Sequence, residues 1–222
     1  MKRTMIGAMT LLVVGTGIGA HGQVSDQRTD RIRESAAVLT AVRGEPDKDI
    51  PRGLWEKAEC VVVIPGLKKA AFGFGGEYGK GMMSCRTEGV FGAPVFMELE
   101  KGSWGFQIGG ESIDLVLLVM NPSGMRKMLS DKTSLGADVS VAAGPVGRNA
   151  AASTDAKMNA EVLSYSRAQG LFAGIDISGG VLRPDNDANR DLYGHDVSAR
   201  EVLSDGRKAP ESTRAFMSAL RR

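Results

Sequence analysis

The stretch Ala58–Arg86, AECVVVIPGLKKAAFGFGGEYGKGMMSCR, restricts the fold of this chain more than any other segment. Cys60–Ile64 is an unbroken apolar, mostly β-branched run, the signature of a strand buried on both faces. Pro65-Gly66 interrupts it and predicts an exposed loop carrying Lys68 and Lys69. Ala71–Tyr78 then alternates, with Phe72 and Phe74 on one face and Gly73 and Gly75 on the other, which reads as a strand or glycine-permitted hairpin. Glycine is abundant throughout, 29 of 222 residues, against a usual share of about 7%. These glycines have no fixed period, so they imply tight turns, bulges and close backbone approach within strands rather than a repeat.

The first 22 residues read as a secretory signal. Lys2 and Arg3 precede the uncharged apolar run Met5–Gly19, and Ala20-His21-Gly22 supplies small residues for cleavage before Gln23. The expected product is exported, periplasmic or secreted, and the remaining residues 23–222 form one domain. The signal holds two of the 28 basic residues and none of the 26 acidic ones, so the rest of the chain has 26 of each. A nucleic-acid binder needs a basic surplus to neutralise phosphates, and residues 23–222 have none. Any anionic partner must be held by a local patch.

Two cysteines, Cys60 and Cys85, remain after export. An oxidising compartment makes a disulfide the default; two separately buried thiols are the alternative.

The 3.6-residue spacing of Ile32, Ala36, Leu39 and Val42 predicts a helix over Ser25–Val42, its polar face ion-paired through Arg28, Arg31 and Arg33 with Asp26, Asp30 and Glu34. Pro51–Lys57 reads as a short second helix. Strands are expected at Cys60–Ile64, Ala71–Tyr78, Met82–Thr87, Pro94–Glu100, Ser103–Gly109 and Ile113–Met120, with a hairpin turn at Glu100-Lys101-Gly102-Ser103. Asn121-Pro122 is an N-cap followed by proline at the first helical position, opening a helix to Ser130. Leu135–Ala143, Val162–Ala168 and Leu171–Leu182 return to strand. Helices at Asp187–Tyr193, Ser198–Leu203 and Pro210–Leu220 finish the chain. The class is α+β, with a strongly curved, mainly antiparallel, barrel-like sheet and helices at both ends.

Most catalytic and metal chemistry fails on residue supply. A Walker loop needs a hydroxyl after its lysine, but Gly79-Lys80 is followed by Gly81. Once His21 is removed, His195 is the one histidine left, with no G-x-S-x-G elbow and no zinc set around it. Asp185, Asp187 and Asn189 match the first three positions of a calcium loop, but Arg190 stands where that loop needs glycine. A helix N-cap at Asp185 or Asn186 explains the same residues. No catalytic residue, metal site or cofactor is expected. What remains is cationic: Lys68 and Lys69 after the Pro-Gly break, Arg126 and Lys127 on the helix after Asn121, and Arg148 at the end of a Gly-Pro loop. Each is suited to an anionic lipid surface.

Four blocks carry a family resemblance: AECVVVIPGLKKAAFGFGGEYGKGMMSCR, GSWGFQIGGESIDLVLLVMN, LGADVSVAAGPVGR and LSYSRAQGLFAGIDISGGVLRPDNDANRDLYG. In this order and spacing they resemble the SYLF domain, a lipid-binding family also described as the actin-binding domain of yeast actin-patch proteins. The resemblance runs from about Ser35 to Leu220. It implies non-enzymatic binding of anionic lipid (phosphoinositides in eukaryotic members), with Lys68 and Lys69 as the carried-over cations and Arg28, Arg31 and Arg33 as further ones. For an exported chain the implied partner is an anionic phospholipid surface of the envelope rather than actin. An envelope scaffold binding a protein partner, or a lipid-transfer pocket inside the curled sheet, are the alternatives.

Overall fold

The structure, a computed structural model, describes residues 25–42, 50–72, 74–104, 111–146, 159–168 and 171–221. The signal segment, Arg148, the expected helix stop at Arg43-Gly44 and part of the expected strand Ser103–Gly109 lie outside them.

Helix α1 (Asp26–Val42) turns Ile32, Ala36, Val38, Leu39 and Val42 inward, as the helical spacing predicts. Helix α2 (Arg52–Lys57) follows and buries Leu54 and Trp55. The chain then enters a long hairpin of β1 (Cys60–Phe72) and β2 (Phe74–Thr87). A short β3 (Val90–Phe91) leads to β4 (Val95–Trp104) and β5 (Glu111–Val119). After helix α3 (Pro122–Met128) come β6 (Thr133–Ser134), β7 (Val141–Ala143), β8 (Val162–Ala168), β9 (Leu171–Gly174) and β10 (Gly180–Pro184). Helices α4 (Asn186–Tyr193), α5 (Ala199–Ser204) and α6 (Arg214–Arg221) complete the order, α6 being preceded by a 3₁₀ turn at Glu211–Thr213.

Among the described residues the strands run β6-β10-β4-β2-β1-β5-β8-β7, with β3 beside β2 and β9 beside β8. Every pairing is antiparallel except β7 with β8. The fold is thus α+β, with a curled, antiparallel-dominated sheet and helices at both ends. Both faces of the sheet are covered, which explains why β1 and β5 are continuous apolar runs rather than alternating ones. On one face α1, α4 and α6 pack over Val61, Val63, Met82, Phe96, Val116, Leu118, Leu163 and Tyr165. On the other, α3 and α5 meet Val62, Ile64, Leu67, Met83, Val95, Met97, Leu115 and Leu117.

Three expectations are corrected. Pro65-Gly66 does not end the strand, and Lys68 does not lie on a loop. The pair forms a bulge, marked by a register shift between Val63 and Lys68 against β2 and between Ile64 and Leu67 against β5. Gly66 takes φ 56°, and its N–H donates to the Asp114 carboxylate at 3.0 Å, so the lost ladder bond is replaced. The extra residue resets the alternation: Ile64 and Leu67 both enter the core, and Lys68 emerges on the α1 face. Likewise Glu100-Lys101-Gly102-Ser103 is not a turn. It is held extended inside β4, because Lys101 pairs with both Glu77 and Gly180, and Gly102 with Gly76. Ladder bonds from both sides override a local composition that suits a turn. Leu171–Leu182, expected as one strand, divides into β9 and β10 around Asp176–Gly179. There the Asp176 carboxylate accepts from the Ser178 N–H at 2.8 Å and holds a turn.

Cys60 and Cys85 are directly opposite on β1 and β2 and are disulfide-bonded, both fully buried. The Arg86 N–H donates to the Glu59 carbonyl beside them, so they occupy a non-hydrogen-bonded position, where facing residues approach most closely. Joint Cys60→Ala and Cys85→Ala replacement is expected to cost about 3 kcal/mol of unfolding free energy for a loop of this length, read from urea unfolding under oxidising conditions. An unchanged midpoint would show that the ladder alone holds the hairpin.

Candidate functional site

The two sheet faces are apolar at the α2–α3 end and turn polar toward the other end, here called the rim. On the α1 face the rows run across β1, β5 and β8. Val61, Leu118 and Leu163 form one, and Val63, Val116 and Tyr165 the next. Beyond them come the Pro65–Gly66 bulge, Asp114 and Arg167, with Asp114 and Arg167 directly paired. The paired ends of β1 and β2, the start of β5, the end of β4 and the paired ends of β8 and β9 all meet at this rim.

Lys68 sits on the rim, exposed, and makes no ion pair among the described residues. Its cross-strand partner is Tyr78, 43% exposed, and facing residues of an antiparallel pair share one side of the sheet. The Tyr78 hydroxyl donates to Glu98 at 3.3 Å. Leu171, at the start of β9, is 58% exposed and belongs to the same end of the sheet. Lys69 follows Lys68 on β1, in register with Glu77 and Glu111.

Between the rim and α1 lies a cleft of about 510 Å³, lined by Glu34, Ala37, Val38 and Ala41 of α1 and by Pro65, Gly66, Asp114 and Arg167 of the sheet. The α1 residues are spaced i, i+3, i+4, i+7, one stripe of the helix beside its core-facing one. Asp114 accepts from Gly66 N–H through Oδ1 and meets Arg167 Nη1 through Oδ2 at the long distance of 3.5 Å. Arg167 also lies 5.8 Å from the Phe172 ring centre, and its buried Nε has no acceptor among the described residues. Sequence reasoning passed over this cleft. The one trace it leaves in the sequence is a charged residue, Asp114 or Arg167, placed near the end of each of two otherwise apolar strands.

The other expected cations are elsewhere. Lys68 pairs with Ser112 near the start of β5, whereas Arg126 and Lys127 are on α3, beyond its far end. At about 3.4 Å per residue the two places are roughly 25 Å apart, so they do not form one patch. Arg126 is exposed. Lys127 donates to both oxygens of Glu161, at 2.8 and 2.7 Å. Glu161 further accepts from Ser123 Oγ at 2.6 Å and from the Ser140 N–H at 3.0 Å. The Lys127 and Ser123 donors hold its carboxyl down to about 2. Lys127 therefore joins α3 to β7 and β8.

Arg28 and Arg31 are used in the same structural way. Arg28 pairs with Asp191 on α4. Arg31 pairs with Asp185 at 3.0 Å and lies 5.0 Å from the Phe96 ring centre. Among the described residues Arg33 pairs only with Asp30 of its own helix, at 3.4 Å. Asp185 is the N-cap of α4, accepting the Ala188 N–H at 3.2 Å, and it also accepts from Lys80 at 2.8 Å. Burial opposes its ionisation, but Lys80, the Ala188 N–H and Arg31 outweigh it and hold the carboxyl below the usual range. The acidic segment is thus a cap and an ion-pair hub, and no group of metal-ligating side chains gathers there among the described residues. His195 is exposed, just beyond the Gly194 C-cap of α4.

No helix among the described residues is long and apolar enough to cross a membrane. The family model described as "Ysc84: Las17-binding protein actin regulator" matches residues 100–222. An SH3 domain-containing protein of Schizosaccharomyces pombe is 36% identical over 84% of this chain and 45% of its own length. LAS seventeen-binding protein 3 of Saccharomyces cerevisiae is 35% identical over 74% of this chain and 36% of its own. SH3 domain-containing YSC84-like protein 1 of Rattus norvegicus is 32% identical over 72% and 48%. The chain spans less than half the length of each of these relatives. The matched region runs from the second half of β4 through α6 and so contains Asp114, Arg167 and the Asp185 hub, and on that match the chain belongs to the Ysc84, or SYLF, family.

Proposed function

We propose that this chain is a non-enzymatic module of the cell envelope that docks on anionic phospholipid headgroups through the rim of its sheet. One observation carries this reading. Lys68, exposed and without an ion pair among the described residues, stands beside the exposed ring of Tyr78. A cation next to an amphipathic aromatic suits the headgroup boundary, where the charge meets phosphate and the ring lies at the edge of the acyl region. Leu171 on the same rim adds an apolar contact. Arg28 and Arg31 do not serve here, because they are committed to α4 and its cap. The family description names Las17 binding and actin regulation. An envelope lipid is favoured for this chain because residues 1–22 have the charge and apolar pattern expected of an export signal.

Flotation with phosphatidylglycerol vesicles at low salt should carry the protein upward, and phosphatidylcholine vesicles should not. Lys68→Glu changes the local charge by two units and should weaken binding by about 2 kcal/mol, roughly 30-fold, at low ionic strength. Added salt should erode the wild-type binding as screening shortens the reach of the charge. Equal flotation on neutral vesicles, or none on either, would refute the reading.

A further inference from the structure

The rim cleft has a charge balance that a simple anion site would not have. Its lining holds one cation, Arg167, and two carboxylates, Glu34 and Asp114. A lone phosphate drawn to Arg167 would also face both carboxylates. A lone ammonium would leave Arg167 as it stands, weakly paired at 3.5 Å and with a buried Nε lacking an acceptor among the described residues. An unsatisfied buried donor is unfavourable, and a side-on phosphate, taking Nε and a terminal nitrogen after a small turn of the side chain, satisfies it. Asp114 need not move, because the Gly66 N–H already holds its Oδ1. The remaining wall, Ala37, Val38, Ala41 and Pro65, is apolar.

From this arrangement we propose that the cleft binds a zwitterionic aminophosphate headgroup of the phosphoethanolamine type. Arg167 takes the phosphate, Glu34 and Asp114 take the ammonium, and the glycerol backbone lies along the apolar stripe of α1. The site is small enough to hold a headgroup and open enough to admit one still attached to its membrane. The inference rests on the docking reading for its membrane context: Lys68 and the rim bring the protein to an anionic surface, and the cleft then selects a zwitterion within it.

Titration calorimetry with soluble glycerophosphoethanolamine, glycerophosphoglycerol and inorganic phosphate tests the cleft without a membrane. Glycerophosphoethanolamine should bind saturably and roughly tenfold tighter than either comparator, and Arg167→Gln should remove at least that advantage. Glu34 is exposed on α1, so Glu34→Gln should leave the fold intact while reducing the preference for the aminophosphate over glycerophosphoglycerol. Equal affinity for all three probes, no binding of any, or an unchanged preference in Glu34→Gln would overturn the proposal. A vesicle arm separates it from the docking reading and a lipid-borne headgroup from a free one. Replacing phosphatidylcholine by phosphatidylethanolamine at constant phosphatidylglycerol should strengthen wild-type binding and leave Arg167→Gln unchanged. Flotation on phosphatidylglycerol alone that persists in both variants, with no soluble aminophosphate binding, would sink the cleft and spare the docking. Aminophosphate binding in a protein that floats on no vesicle would sink the docking and assign the cleft to a free ligand.

Discussion

Gly81→Ala is expected to lose about 4 kcal/mol or more of stability and to lower the melting temperature by about 10 °C. A Cβ at this position would lie 1.8 Å from the carbonyl oxygen of Val63 and 2.8 Å from the Cα of Ile64. Those atoms belong to β1, which is hydrogen-bonded to β5 on its other side and cannot withdraw. Next along β2, Gly79 leaves room in the same way for the side chains of Ile64 and Leu67, which lean over it at the bulge. Gly53→Ala on α2 is the matched control. It has nothing within 4 Å and should be neutral or stabilising by up to about 1 kcal/mol, since alanine is the better helix former. Calorimetric melting of the two variants decides the matter, and a Gly81→Ala melting point within a degree or two of wild type would sink the account of how β1 and β2 approach.

Asp185→Ala should cost about 3–5 kcal/mol, the usual effect of stranding the partners of a buried ion pair. The loss removes the cap of α4 and leaves Lys80 and Arg31 without their shared carboxylate. The side chains of Arg31 and Asp185 are 14% and 9% exposed, so water cannot fully replace the missing partner. Asp185→Asn keeps an oxygen for the Ala188 N–H but not the charge, and should fall between alanine and wild type. Urea unfolding at neutral pH gives all three values. A loss below about 1 kcal/mol for alanine would mean the hub is solvated and contributes as little as a surface pair.

Both effects arise at residues whose local role was legible and whose tertiary role was not. Asp185 was readable as an N-cap from Asp185-Asn186-Asp187, because capping is decided within four residues. That Arg31 and Lys80 converge on the same carboxylate, from 154 and 105 positions away, is set by packing α1 and β2 against α4. The glycines of β2 were readable as permitting close approach, but which backbone they admit depends on the bulge at Pro65–Gly66. Helices α1, α3 and α5 lie nearly where expected, α1 from its apolar spacing and α3 from its cap Asn121. Strand ends were less legible: Lys101-Gly102 has the composition of a turn and the position of a mid-strand pair. The cationic residues were legible as types, but not their partners. Lys127 is spent on Glu161, whereas Lys68 stands on the rim with no ion pair among the described residues. The cleft was illegible because its lining comes from α1, β1, β5 and β8, which only the curl of the sheet brings together.

Among the described residues the outermost strands of the sheet, β6 at one end and β7 with β9 at the other, are two, three and four residues long. An exposed long edge strand is a template on which another chain can add itself, and very short edge strands blunt that hazard. A partner seeking to extend this sheet at β6 or β7 would find only a few backbone groups to pair with. Recognition by strand addition, and self-association by the same route, are therefore disfavoured at both edges. On the proposed docking reading, binding specificity falls instead to side chains, and a rim replaced residue by residue could change its ligand without opening the sheet to its neighbours.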